Sequence, residues 1–159
     1  MGTADVEDCA AVAEYLIASG RTGAGQVFIT GASAGGYTAL QAVSRRSVFS
    51  GAVARSAIID PHRWQRAAPR WQRPHAAELT GPAGAVRADW IERPVLLIHG
   101  SDDHVAPLSE VSQLADALEA RGAAHRLLVV SARHSLSAQQ AAAEVLEAEL
   151  EFYLEHLAG

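Results

Sequence analysis

Two hydrophobic patterns alternate along the chain. Apolar runs closed by turn residues occur in "VFITG", "GAVARSAII", "PVLLIHG" and "HRLLVV". They predict strands over Val27–Thr30, Gly51–Ile59, Pro94–Gly100 and His125–Val130. The third is apolar almost throughout, as expected of a strand covered on both faces. Between the strands, apolar residues recur at helical spacing. Val6, Cys9, Ala13 and Leu16 mark a helix over Asp5–Ser19, with Asp5 as its N-cap and Gly20 as its stop. Val111, Leu114, Ala115 and Leu118 mark another over Leu108–Ala120, ended by Gly122. Helices are also expected over about Ala34–Arg46 and about Ser137–Leu157. The segment from Pro61 to Arg93 is rich in Pro, Arg and Trp and follows neither period. It is predicted to lie over the core as a short lid, about residues 61–93.

Strands that alternate with helices form parallel sheets through right-handed crossovers. The expected fold is therefore α/β, with about four parallel strands and helices on both faces. At 159 residues the chain fits one domain, 1–159. In such sheets, functional residues gather where strands end at their carboxyl termini. Ser33, the pair Asp102-Asp103, and His134 all follow predicted strands in this way.

Composition narrows the picture. Hydrophobic residues make up 49% and charged residues 19%, as in ordinary globular proteins, and the net charge of −5 disfavours a nucleic-acid partner. No apolar run reaches membrane-spanning length, and the opening "MGTADVEDC" is acidic, unlike a signal peptide. A cytoplasmic protein without a membrane partner is expected. The single cysteine, Cys9, cannot form an internal disulfide and reads as a buried structural thiol. All 13 basic residues are arginine, and nine fall between Arg45 and Arg93, opposed only by Asp60, Glu78, Asp89 and Glu92. A solvated face is the first reading, and attraction of an anionic substrate group to the lid is the second.

The chemistry starts at "QVFITGASAGGYTAL". Gly31, Ser33 and Gly35 have the G-x-S-x-G spacing of a nucleophile elbow, set between a strand and a helix. Such an elbow strains the central serine, so residues two positions away must be small. The hydroxyl then stands at a helix start, where free N–H groups favour developing negative charge. A serine nucleophile needs an imidazole to take its proton and a carboxylate to fix that imidazole. Ser33, Asp103 and His134 follow in the chain order used by α/β-hydrolases, at separations of 70 and 31 residues. The other six histidines, His99 among them, read as structural or surface residues. No His or carboxylate cluster has metal-ligand spacing, and no Lys follows "GASAGG", so neither a metal nor another cofactor is expected.

"DVEDCAAVAEYL", "VFITGASAGGYTAL", "PVLLIHGSDDHVAP", the "ARH" loop and "EAELEFYLEHL" together resemble the C-terminal part of a prolyl oligopeptidase-like catalytic domain. That family of α/β-hydrolase serine peptidases includes dipeptidyl and acylaminoacyl peptidases. The resemblance covers nearly the whole chain except about Arg63–Glu92. It implies a truncated α/β-hydrolase with Ser33 as nucleophile, His134 as general base and the Ala34 N–H as an oxyanion donor. Its acid falls on Asp103 when counted from Gly100 or Pro107, and on Asp102 when counted from Val105. Asp60, which ends the second predicted strand, is a third candidate, although an Asp-Pro turn explains it better.

The resemblance also implies parts that this sequence does not contain. The strands before the elbow are absent, and with them the loop that carries the second oxyanion donor, commonly a tyrosine. The β-propeller that normally precedes the domain is absent too. Tyr37 is expected to pack rather than to substitute for that tyrosine. The strand Val27–Thr30 would then be an open apolar edge, apt to pair with a second copy or a partner chain. Trp64, Trp71 and Trp90 either cover the core or shape an aromatic acyl pocket. Two functions follow. One is a serine hydrolase acting on a small ester, amide or short peptide. The other is a catalytically silent or split fragment that needs a partner chain.

Overall fold

The computed structural model of the chain describes residues 1–68 and 70–157. Helix α1 (Ala4–Ala18) leads into β1 (Phe28–Ala32) and α2 (Ala34–Arg45), followed by β2 (Gly51–Arg55). The lid segment holds α3 (Pro61–Ala67) and α4 (Ala76–Thr80), with short 3₁₀ turns at Arg73–His75 and Ala88–Trp90. Then come β3 (Val95–Gly100), α5 (Leu108–Ala120), β4 (His125–Val130) and α6 (Gln139–Leu157).

The four strands are all parallel and lie in the order β1-β2-β3-β4. Spatial order equals chain order, so every crossover steps in the same direction. With a common hand, the intervening helices then share one face of the sheet. The burial confirms this. Ala52, Ala54, Val95 and Leu97 pack with Val6 of α1, Tyr37 and Leu40 of α2, Trp64 of α3 and Leu118 of α5. Their strand neighbours Val53, Leu96, Ile98 and Val130 point the other way and pack under Val145, Ala148 and Phe152 of α6. The period-2 alternation of each strand thus feeds two cores. Arg55, at the end of β2, adds a bidentate ion pair to Glu149, which is buried on α6.

Several boundaries differ from expectation for local reasons. β2 ends at Arg55 instead of Ile59 because Ser56 turns into positive φ (42°) and gives its N–H to the Ile98 carbonyl. Ala57, Ile58 and Ile59 remain buried, but outside the sheet. Asp5 is not the N-cap of α1. Thr3 holds that position, and Asp5 sits in the first turn, where its carboxylate accepts from the Gly2 and Thr3 N–H groups. Cys9 is half-buried against the core rather than enclosed by it. Among the described residues β1 pairs only with β2, so its other edge is open. A groove of about 390 Å³ runs along it, lined by Cys9, Val12 and Leu16 of α1 with Val27, Phe28 and Ile29. No helix is long and apolar enough to cross a membrane among the described residues.

Candidate active site

Ser33 sits between β1 and α2 at φ 55°, ψ −116°, a region that costs a non-glycine residue about 1–3 kcal/mol. The surrounding backbone holds it there. Its N–H donates to the Arg55 carbonyl (2.9 Å), and its carbonyl accepts from Tyr37 (3.1 Å) and Ile58 (3.2 Å). Its hydroxyl does not cap α2 and is left for other use. A Cβ on Gly31 would lie 2.2 Å from the Gly35 carbonyl oxygen, so only glycine fits there. A Cβ on Gly36 would lie 2.8 Å from Ala57 Cβ. Gly35 differs from expectation, since a Cβ there meets nothing within 4 Å among the described residues. The steric demand of the turn therefore falls on Gly31 and Gly36, because α2 packs on β2 through Gly36 while Gly35 faces open space.

Of the candidate acids, Asp103 alone meets His134. The loop after β3 tucks its side chain fully out of solvent, while His134, in the loop after β4, stays partly exposed. Asp103 Oδ1 accepts from the backbone N–H groups of Val105 and Ala106, both at 2.9 Å. Oδ2 lies 2.8 Å from His134 Nδ1, and because a carboxylate only accepts, Nδ1 carries the proton. Burial acts to raise the Asp103 carboxyl. The Ala106 N–H, the His134 imidazole and the Val105 N–H outweigh it and hold the group below the ordinary carboxylate value. Asp102 is exposed and faces His104 (3.0 Å) and Arg133 (3.4 Å) instead. Asp60 is the N-cap of α3, accepting from the His62 and Arg63 N–H groups, with Pro61 at the first helical position.

The loop carrying His134 is pinned by Leu136. That residue adopts positive φ (52°), donates its N–H to the Arg133 carbonyl and buries its side chain in the core under α6. Sequence reading overlooks it, because "SARHSLS" looks uniformly polar.

Ser33 and His134 line one cavity of about 450 Å³, together with Ala34, Ile58, Trp64, Trp71 and Val105. With Nδ1 turned to Asp103, Nε2 is the imidazole nitrogen left for chemistry in this cavity. The Ala34 N–H, first in α2, has no acceptor within the helix and adds the positive end of the helix dipole. The three tryptophans part company. Trp64 is buried and Trp71 is 77% exposed at the cavity, whereas Trp90 lies elsewhere under the Arg87 guanidinium (4.7 Å). None of the arginines lines the cavity among the described residues, and Arg63 and Arg87 pair with Glu110 and Asp89. Tyr37 is fully buried, and its hydroxyl donates to the Gly84 carbonyl (2.6 Å), which is packing as expected.

Comparison with solved structures places the fold among known ones. The chain superimposes on a puromycin-hydrolyzing peptidase of Mycobacterium tuberculosis with a TM-score of 0.91 at 30% identity, covering 98% of this chain and 26% of that one. An acylaminoacyl peptidase of Pyrococcus horikoshii matches at 0.80 and 17% identity, over 98% of this chain and 28% of that one. A Pyrococcus furiosus esterase matches at 0.77 and 20% identity, over 94% and 61%. These last two likenesses concern the fold. The chain spans about a quarter of the length of the two peptidases. Residues 1–159 match the prolyl oligopeptidase family throughout, and the chain belongs to that family of serine peptidase-like hydrolases.

Proposed function

We propose that this chain carries the catalytic groups of a serine hydrolase that cleaves a small ester, amide or short peptide. The observation behind this reading is the shared cavity, in which a strained, uncapped Ser33 faces the same space as a histidine held by a buried carboxylate. Ser33 Oγ attacks the substrate carbonyl while His134 Nε2 takes its proton. Asp103 keeps the imidazole in the Nδ1–H tautomer and stabilises the imidazolium that forms. The Ala34 N–H donates to the oxyanion. His134 then protonates the leaving group, and an acyl-enzyme on Ser33 remains. Water activated by His134 releases the acid and restores the serine.

The open β1 edge favours a second reading, in which catalysis depends on a strand supplied by a second copy or a partner chain. A second oxyanion donor brought by that strand would raise the rate by about 10²–10³. In isolation the chain is therefore expected to turn over activated esters slowly and peptides more slowly still. The test is hydrolysis of a p-nitrophenyl ester by the purified chain against Ser33→Ala. Turnover that the variant lacks supports the first reading. Equal background rates on folded protein refute it for the isolated chain and leave the partner-dependent reading.

A further inference from the structure

We infer that His99 is a positioning residue for the Asp103–His134 pair, an inference that rests on the hydrolase reading above. His99 lies in β3, four residues before Asp103, and its side chain is fully buried. Its Nε2 is 2.8 Å from the Ala106 carbonyl oxygen and 3.3 Å from Asp103 Oδ2. Both neighbours are acceptors, so Nε2 carries the proton and Nδ1 is the bare nitrogen. That Nδ1 is buried without a partner. The rest of the strand is Val95, Leu96, Leu97, Ile98 and Gly100, all buried. An apolar side chain at position 99 would fill this space and leave no orphaned nitrogen.

What the imidazole supplies is a donor aimed at the acid loop. Ala106 is held from both sides: its N–H by Asp103 Oδ1 at 2.9 Å, its carbonyl by His99. The bond to Ala106 closes a ring from β3 through Ala106 to the carboxylate, which fixes the rotation of Asp103. It also sets a second N–H dipole against Oδ2, the oxygen that accepts the His134 Nδ1–H hydrogen bond. His99 touches no reacting atom and acts only through Asp103.

The test combines fluorophosphonate labelling of Ser33 with histidine NMR on the intact chain. His99→Leu should fold, label about 10–100-fold more slowly, and lose or broaden the far-downfield Nδ1 proton signal of His134. His99→Gln, which returns an N–H near the Nε2 position, should recover most of both. A folded His99→Leu with wild-type labelling and an intact His134 signal overturns the inference. If the wild-type chain is not labelled at all, the nucleophile reading fails, and the His134 signal in the two variants still decides the role of His99. If His99→Leu does not fold, ¹⁵N shifts of the wild type decide it. A proton on Nδ1 of His99 instead of Nε2 overturns it.

Discussion

Replacing Asp103 by Asn isolates the tautomer argument. Oδ1 accepts two backbone N–H groups at 2.9 Å, so the amide oxygen must occupy that side. The amide nitrogen then faces His134 Nδ1 in place of the oxygen now 2.8 Å away. Donor would meet donor unless the imidazole moves its proton to Nε2, the nitrogen that must accept from Ser33. Trapping that tautomer in a serine triad lowers the rate by about 10⁴, or about 5 kcal/mol of barrier. The effect on folding should be smaller, about 1–3 kcal/mol, because the two backbone bonds survive. The assay is the second-order rate of fluorophosphonate labelling, with urea unfolding as the stability control. Asp102→Asn is the companion variant, and since its carboxylate is exposed it should label within about twofold of wild type. Labelling of Asp103→Asn within tenfold of wild type would refute the reasoning, as would an equal loss in Asp102→Asn.

The elbow glycines should separate in urea denaturation. Gly31→Ala drives a methyl into the Gly35 carbonyl and should cost about 3 kcal/mol or more, whereas Gly35→Ala has open space and should be neutral or stabilise α2 by up to about 1 kcal/mol. Leu97→Ala removes a fully buried side chain from the core beneath α2 and α5 and should cost about 2–5 kcal/mol by the same measurement. Acid unfolding should report Asp103, whose folded carboxyl is held below its ordinary value of 3.8. The stabilisation is fully present above that value and is lost as pH falls through the depressed folded one. The stability gap between wild type and Asp103→Asn should therefore shrink as pH falls below the ordinary carboxylate value.

Agreement is best in the second half of the chain, whereas β1 covers Phe28–Ala32 instead of Val27–Thr30. α5 and β4 have the expected bounds, and β3 differs only in leaving out Pro94, which has no N–H to give a ladder. The tail of β2 was illegible for a physical reason. "SAII" is as apolar as a strand, but the backbone reversal at Ser56 takes it into the core without pairing. The lid hid two short helices because proline and arginine mask the period over so few residues. The start of α3 was nonetheless readable in Asp60-Pro61, a cap followed by a proline that presets φ. The elbow was visible from spacing and context, yet spacing alone assigned its steric demand to Gly35 instead of Gly36. Counting prefers Asp103 over Asp102 by two anchors to one. Burial and the direction of two backbone N–H groups separate them. His99, at the end of an apolar run before a turn glycine, reads as structural, and its one further sequence signal is the four-residue step to Asp103.

We propose that Ser33, His134 and Asp103 act as one working set within these 159 residues. The most direct measurement is intact mass after exposure of the folded chain to a fluorophosphonate, with the adduct mapped by peptide sequencing. One adduct is expected, on Ser33, absent from Ser33→Ala and nearly absent from His134→Ala. An unlabelled folded chain, or an adduct on any other residue, would contradict it.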